Sequence, residues 1–141
     1  MSDSAPPIRL TRARDIDHFA LIVADIGRTV EFYERVLGMR AVEFEFRGRR
    51  RTALRFGEHK RNLHEPGTAE APMPRVAQPG SVDLCLLVDD PVERIAEELS
   101  HLGVEIVHGP DRADGATGEL NSVWVRDPDG NLIELANRTE R

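Results

Sequence analysis

Residues 16–23, Ile16-Asp17-His18-Phe19-Ala20-Leu21-Ile22-Val23, have a counterpart at residues 81–88, Ser81-Val82-Asp83-Leu84-Cys85-Leu86-Leu87-Val88. Each is a short, mostly apolar run, and each reads as a buried strand. The segments just downstream of the two runs are alike as well. After Asp25, a helix-capping residue, Val30, Phe32, Tyr33, Val36 and Leu37 recur at helical spacing until Gly38 stops the helix. After the second run, Val92, Ile95, Ala96, Leu99 and Leu102 do the same until Gly103.

Three strand-like stretches come next in each half. In the first they are 39–46, 51–56 and 60–65, with Gly48 and Gly57-Glu58 as turns. In the second they are 104–107, 122–126 and 132–136, with Asp127-Pro128-Asp129-Gly130 as a tight turn. The chain therefore reads βαβββ, linker, βαβββ. Such a repeat dictates architecture. The expectation is an α+β fold of paired βαβββ modules with curled sheets. Residues 1–14 read as a loose arm, 15–66 as module one, 67–80 as a proline-rich linker, 81–137 as module two and 138–141 as a tail.

The repeat also aligns chemistry. Matching Ile16-Asp17-His18-Phe19 with Ser81-Val82-Asp83-Leu84 sets His18 against Asp83. Matching Asn62-Leu63-His64-Glu65 with Leu132-Ile133-Glu134-Leu135 sets His64 against Glu134. Burying a carboxylate between Ile133 and Leu135 costs several kcal/mol unless it is paired or binds a metal. Two histidines and one carboxylate suffice for a divalent ion with open positions. Asp83 either adds a fourth ligand or orients a histidine. His59, His101 and His108 lack this support.

Composition narrows the partners. The 141 residues carry 19 basic and 25 acidic side chains, a formal charge of −6, which disfavours a general grip on nucleic acid. No apolar run approaches the roughly 18 residues of a membrane span. Residues 1–7 lack the apolar core of a signal peptide, so the expected location is cytoplasmic. Cys85, the one cysteine, excludes a disulfide within the chain and reads as inert core. Against the acidic whole, residues 47–61 hold Arg47, Arg49, Arg50, Arg51, Arg55, Lys60 and Arg61 with Glu58 as their one acid. That cluster is either a solvated strand pair or a cationic rim for a small anionic substrate.

The sequence resembles the vicinal oxygen chelate superfamily, also called the glyoxalase/bleomycin resistance protein/dioxygenase family. The resemblance is carried by Asp17-His18-Phe19-Ala20-Leu21, by Val30-Glu31-Phe32-Tyr33-Glu34-Arg35-Val36-Leu37-Gly38-Met39, by Asn62-Leu63-His64-Glu65, and by Asp127-Pro128-Asp129-Gly130-Asn131-Leu132-Ile133-Glu134-Leu135. It spans residues 15–137 and is strongest toward a glyoxalase domain-containing, virulence-associated branch. It implies a metal-binding cup with His18, His64, Glu134 and, as an open question, Asp83 as ligands. Fe, Mn, Ni, Zn and Co are all compatible. It further implies a small-molecule substrate bound through vicinal oxygens, and lyase or isomerase proton transfer with Glu134 as the catalytic carboxylate. Arg55 and Asn62 are candidate substrate-binding residues. The alternatives are an Fe(II) extradiol-type dioxygenase and a non-catalytic binding or resistance protein. A homodimer is expected, with the cup either inside one chain or shared between two.

Overall fold

The computed structural model describes residues 10–67 and 72–139. Most of the expected arm, four residues near the start of the linker and the last two residues of the tail lie outside that range. The elements run β1 (His18–Ile22), α1 (Ile26–Leu37), β2 (Arg40–Phe46), β3 (Arg49–Phe56), β4 (His59–His64), β5 (Asp83–Leu87), α2 (Val92–His101), β6 (Ile106–Gly115), β7 (Gly118–Arg126) and β8 (Leu132–Arg138). The βαβββ repeat is thus present in both halves.

Local chemistry explains the helices. Asp25 accepts from the Arg28 N–H at 2.9 Å, and Glu65 reaches back from beyond β4 to accept from the Ile26 N–H at 3.0 Å. Gly38 ends α1 in the left-handed region at φ 67°, where a side chain would be strained. Helix α2 has no cap from its own flank. Instead Asn137 accepts from the Val92 N–H and donates to the carbonyls of Val88 and Asp90.

Strand pairing stays within each module. The first sheet is ordered β1-β4-β3-β2 and the second β5-β8-β7-β6, with β1–β4 and β5–β8 parallel and the rest antiparallel. Leu21, Val23, Leu54 and Leu63 from the first sheet join Leu86, Val123, Val125, Ile133 and Leu135 from the second, with Phe32, Tyr33, Val92 and Leu99 from the helices, in one core. Each such buried side chain contributes about 1.5–3 kcal/mol. Because both sheets give their helix-covered faces to this shared core, their other faces turn outward.

Polar bonds also join the modules. The Tyr33 hydroxyl donates to Asp127 at 2.6 Å, and the Ala24 N–H donates to Asp129 at 3.2 Å. Asp127 additionally accepts from the Asp129 N–H and from both the backbone and side-chain amides of Asn131. The Asp-Pro-Asp-Gly stretch is the expected turn, and it is also the seam between the two halves.

Three expectations change. Strand β6 runs from Ile106 through Gly109-Pro110 to Gly115, well past the expected 104–107, because register shifts on either side of His108 absorb the irregularity. Strand β8 continues to Arg138, past the expected start of the tail. Arg61 does not belong to the solvated cationic cluster: it is fully buried under α1. Its guanidinium carbon lies 4.5, 5.1 and 5.8 Å from the ring centroids of Tyr33, Phe19 and Phe56. None of its three side-chain nitrogens has a hydrogen-bond partner among the described residues.

Candidate active site

Strand alternation sorts the site residues. On the first sheet, Ala20 stands beside Asn62 and Ile22 beside His64, while Asn62 faces Ala53 and Lys60 faces Arg55. Neighbours across a ladder share a face. His18, Lys60, Asn62, His64 and Arg55 therefore lie on the outward face, opposite Leu21, Arg61 and Leu63.

His18, Asn62 and His64 meet in one pocket of about 440 Å³, together with Phe44, Phe46, Arg47, Arg51, Lys60 and Pro72. Arg55 shares the face but is not part of the pocket wall. His18 Nδ1 lies 2.7 Å from Asp17 Oδ1. With Nδ1 donating to that carboxylate, Nε2 is the free lone pair, the arrangement that orients a metal-binding imidazole. Asp17, whose carboxyl is held below its usual range chiefly by this bond, is a partner of His18 that sequence reasoning missed. Its only signal was adjacency to His18. His64 is held below the ordinary histidine value, first by burial and second by Arg51, so it favours the neutral form a ligand or base requires.

The second sheet carries the other half. Cys85 pairs with Glu134 and Trp124 faces Glu134, so Asp83, Cys85, Glu134, Ser122 and Trp124 share its outward face. Ser122 Oγ donates to Glu134 Oε2 at 2.7 Å, fixing one carboxylate oxygen. The His108 ring stacks at a tilt on Trp124, 5.1 Å between centroids, and its Nε2 is 2.8 Å from Asp111. Cys85 is exposed, contrary to the inert-core reading, because β5 is an edge strand and its odd-numbered residues face outward. Although the residue as a whole is exposed, partial desolvation of its sulfur and then the Glu134 carboxylate push the thiol up to about 11.

The ladders also revise the internal alignment. His18 pairs with Lys60 as Asp83 pairs with Leu132, which makes His18 and Asp83 counterparts. By the same rungs the counterpart of Glu134 is Asn62, and the counterpart of His64 is Ala136. His64 therefore stands one same-face position further along its strand than the repeat in sequence suggested.

Two imidazoles and a carboxylate are the right donors for a divalent metal. Within a single chain, however, they do not converge: His18 and His64 lie on one outward face and Glu134 on the other. Among the described residues, no three His, Cys, Asp or Glu side chains are placed to hold an ion. One chain presents the two sets of donors on separate faces.

The fold finds close parallels. The pattern of the Glyoxalase/Bleomycin resistance protein/Dioxygenase superfamily matches residues 15–135. The chain belongs to this superfamily. The glyoxalase-superfamily chain is 46% identical over 121 residues to virulence protein STM3117 of Salmonella typhimurium, covering 86% of this chain and 82% of that protein. The crystal structure of STM3117 superposes with a TM-score of 0.85 over 92% of this chain and 100% of that one, at 43% identity. Glyoxalase domain-containing protein RDO1 of Mycosarcoma maydis is 42% identical over 129 residues, 92% of this chain and 71% of that protein. A lactoylglutathione lyase from Agrobacterium tumefaciens is more distant, at 25% identity and a TM-score of 0.67 over 90% and 96% of the two chains. No helix among the described residues is long and apolar enough to cross a membrane.

Proposed function

We propose that this chain is a glyoxalase-like enzyme for a small substrate with vicinal oxygens, and that its working site is built by two copies. The first sheet of one copy supplies His18 and His64. The second sheet of another supplies Glu134, with Asp83 beside it. The observation that carries this reading is the outward turn of both half-sites, away from the shared core. One further feature supports it. Strands β1 and β5 are both sheet edges, which are templates for pairing with another chain.

His18, His64 and Glu134 would hold a divalent ion, whose contribution is Lewis-acid polarisation of the substrate oxygens. The chain's own residues do the remaining work. Asp17 fixes the His18 ring. Ser122 fixes Glu134 Oε2 and leaves Oε1 to take a proton from the carbon beside a carbonyl and return it to the neighbouring carbon. That transfer isomerises a hemithioacetal to a thioester without an outside oxidant. The similarity to the lactoylglutathione lyase agrees with this chemistry.

The test is thioester formation from methylglyoxal and a thiol, with metal content measured in parallel. Glu134→Gln is expected to lower metal content and to cut turnover at least 100-fold. Retention of both would overturn the reading.

A further inference from the structure

The first-sheet face holds more positive charge than two histidine ligands require. On β2 its outward positions are Arg40, Val42, Phe44 and Phe46, and on β3 they are Arg49, Arg51, Ala53 and Arg55. On β4 and β1 they are Lys60, Asn62, His64, His18, Ala20 and Ile22. No aspartate or glutamate appears among them. Glu43 and Glu45 fall on the opposite face of β2.

The cations at the pocket rest on rings. Lys60 Nζ sits 4.4 Å above the Phe44 ring, and the Arg47 guanidinium sits 5.0 Å above Phe46. Neither Lys60 nor Arg47 forms an ion pair with a carboxylate among the described residues. Arg51 reaches the same Phe46 ring at 5.9 Å. A ring face holds a cation in place without neutralising it, so the Arg47 charge stays available to a ligand, while Lys60 shares its charge with Asp17, whose carboxyl it helps His18 to hold low.

The backbone adds an independent sign. Arg47 is the one described non-glycine residue with positive φ, at 56°, in a two-residue turn with Gly48 at φ 73°. Asparagine or glycine is the ordinary occupant of such a position. An arginine held there against its preference stands at the mouth of the pocket that contains His18 and His64.

We propose that Arg47 and Lys60 form a subsite for an anionic group of the substrate, a carboxylate or a phosphate, with Phe44 and Phe46 flanking the adjoining apolar portion. A volume of about 440 Å³ suits a small organic anion. This rests on the reading that the first-sheet face lines the substrate site. The subsite lies on one chain, so it binds anions whether or not a metal is present.

The experiment is calorimetric titration with benzoate, phenyl phosphate and the neutral benzyl alcohol, at low and moderate salt. At least one anion is expected to bind tenfold or more tightly than the alcohol and to weaken as salt rises. The stronger of the two anions identifies carboxylate or phosphate as the group. The double variant Arg47→Asn with Lys60→Gln is expected to lose that preference at least tenfold, while keeping its elution volume and metal content. Asparagine suits the turn better than arginine, so misfolding is not the expected cost. Equal binding of all three probes, or full anion preference in the variant, overturns the proposal. Anion binding by a protein that takes up no metal leaves the subsite standing and overturns only the metal-dependent reading.

Discussion

Replacing Tyr33 with phenylalanine removes a single oxygen, and that oxygen carries a bond between the two halves of the chain. The hydroxyl lies 2.6 Å from Asp127 Oδ2, and Tyr33 is fully buried. Burial first, and Asp127 among the smaller causes, push the phenol above its ordinary value, with Arg61 opposing. The group therefore remains a donor throughout the neutral range. A hydrogen bond to a charged acceptor contributes about 1.5–3 kcal/mol. Asp127 keeps its other three donors, and the phenylalanine ring leaves no cavity under Arg61, so the loss belongs near the lower end, about 2 kcal/mol. For a chain of this size that corresponds to a fall of roughly 4–8 °C in Tm. Urea unfolding of wild type, Tyr33→Phe, Asp127→Asn and the double variant gives the coupling directly. We expect a coupling of at least about 1 kcal/mol. Strict additivity, or a Tyr33→Phe stability within about 0.5 kcal/mol of wild type, would refute the idea that this bond ties the modules together.

Three further outcomes are expected. Cys85, with its thiol near 11, should be alkylated at pH 8 roughly tenfold or more slowly than a free cysteine, and faster in Glu134→Gln; equal rates would show that Glu134 does not act on it. His64 is depressed in the folded state below its reference of 6.5, so the unfolded chain binds that proton more readily. Its contribution is present above pH 6.5 and is lost as pH falls through the folded value, so His64→Gln should flatten the acid limb of stability between pH 7 and 5; an unchanged slope in urea midpoints argues otherwise. Arg47→Asn should raise stability by up to about 1 kcal/mol in thermal denaturation by relieving the left-handed position, and a loss would count against strain there.

The fold was legible because it rests on patterns of short range. Apolar runs, helical spacing, Gly38 and Gly103, and the Asp-Pro-Asp-Gly turn each declare a local structure, and their recurrence declares the architecture. The site was less legible for the same reason. A strand repeats every two residues, so moving an alignment by two leaves every side chain on its own face. Sequence could thus set His64 against Glu134 when only the ladder assigns that rung to Asn62. Alternation also separates Arg61 from Lys60, although the dense run of basic residues invited reading them as one cluster. Cys85 sits in an apolar run that looks buried, and only the strand order reveals an edge. The role of Asp127 in joining the halves depends on Tyr33, 94 residues away, and no local signal announces it.

Among the described residues, no strand pair crosses the segment between β4 and β5. Each half closes its own backbone ladders, and among the described residues the halves meet through side chains of the common core and bonds around Asp127 and Asp129. The peptide between them acts as a tether that raises local concentration. Cut within that connection, the chain should yield two fragments that recombine when mixed, with an affinity set by the shared core. The same separability is what a gene duplication and fusion would leave behind, two units still joined more by side chains than by backbone.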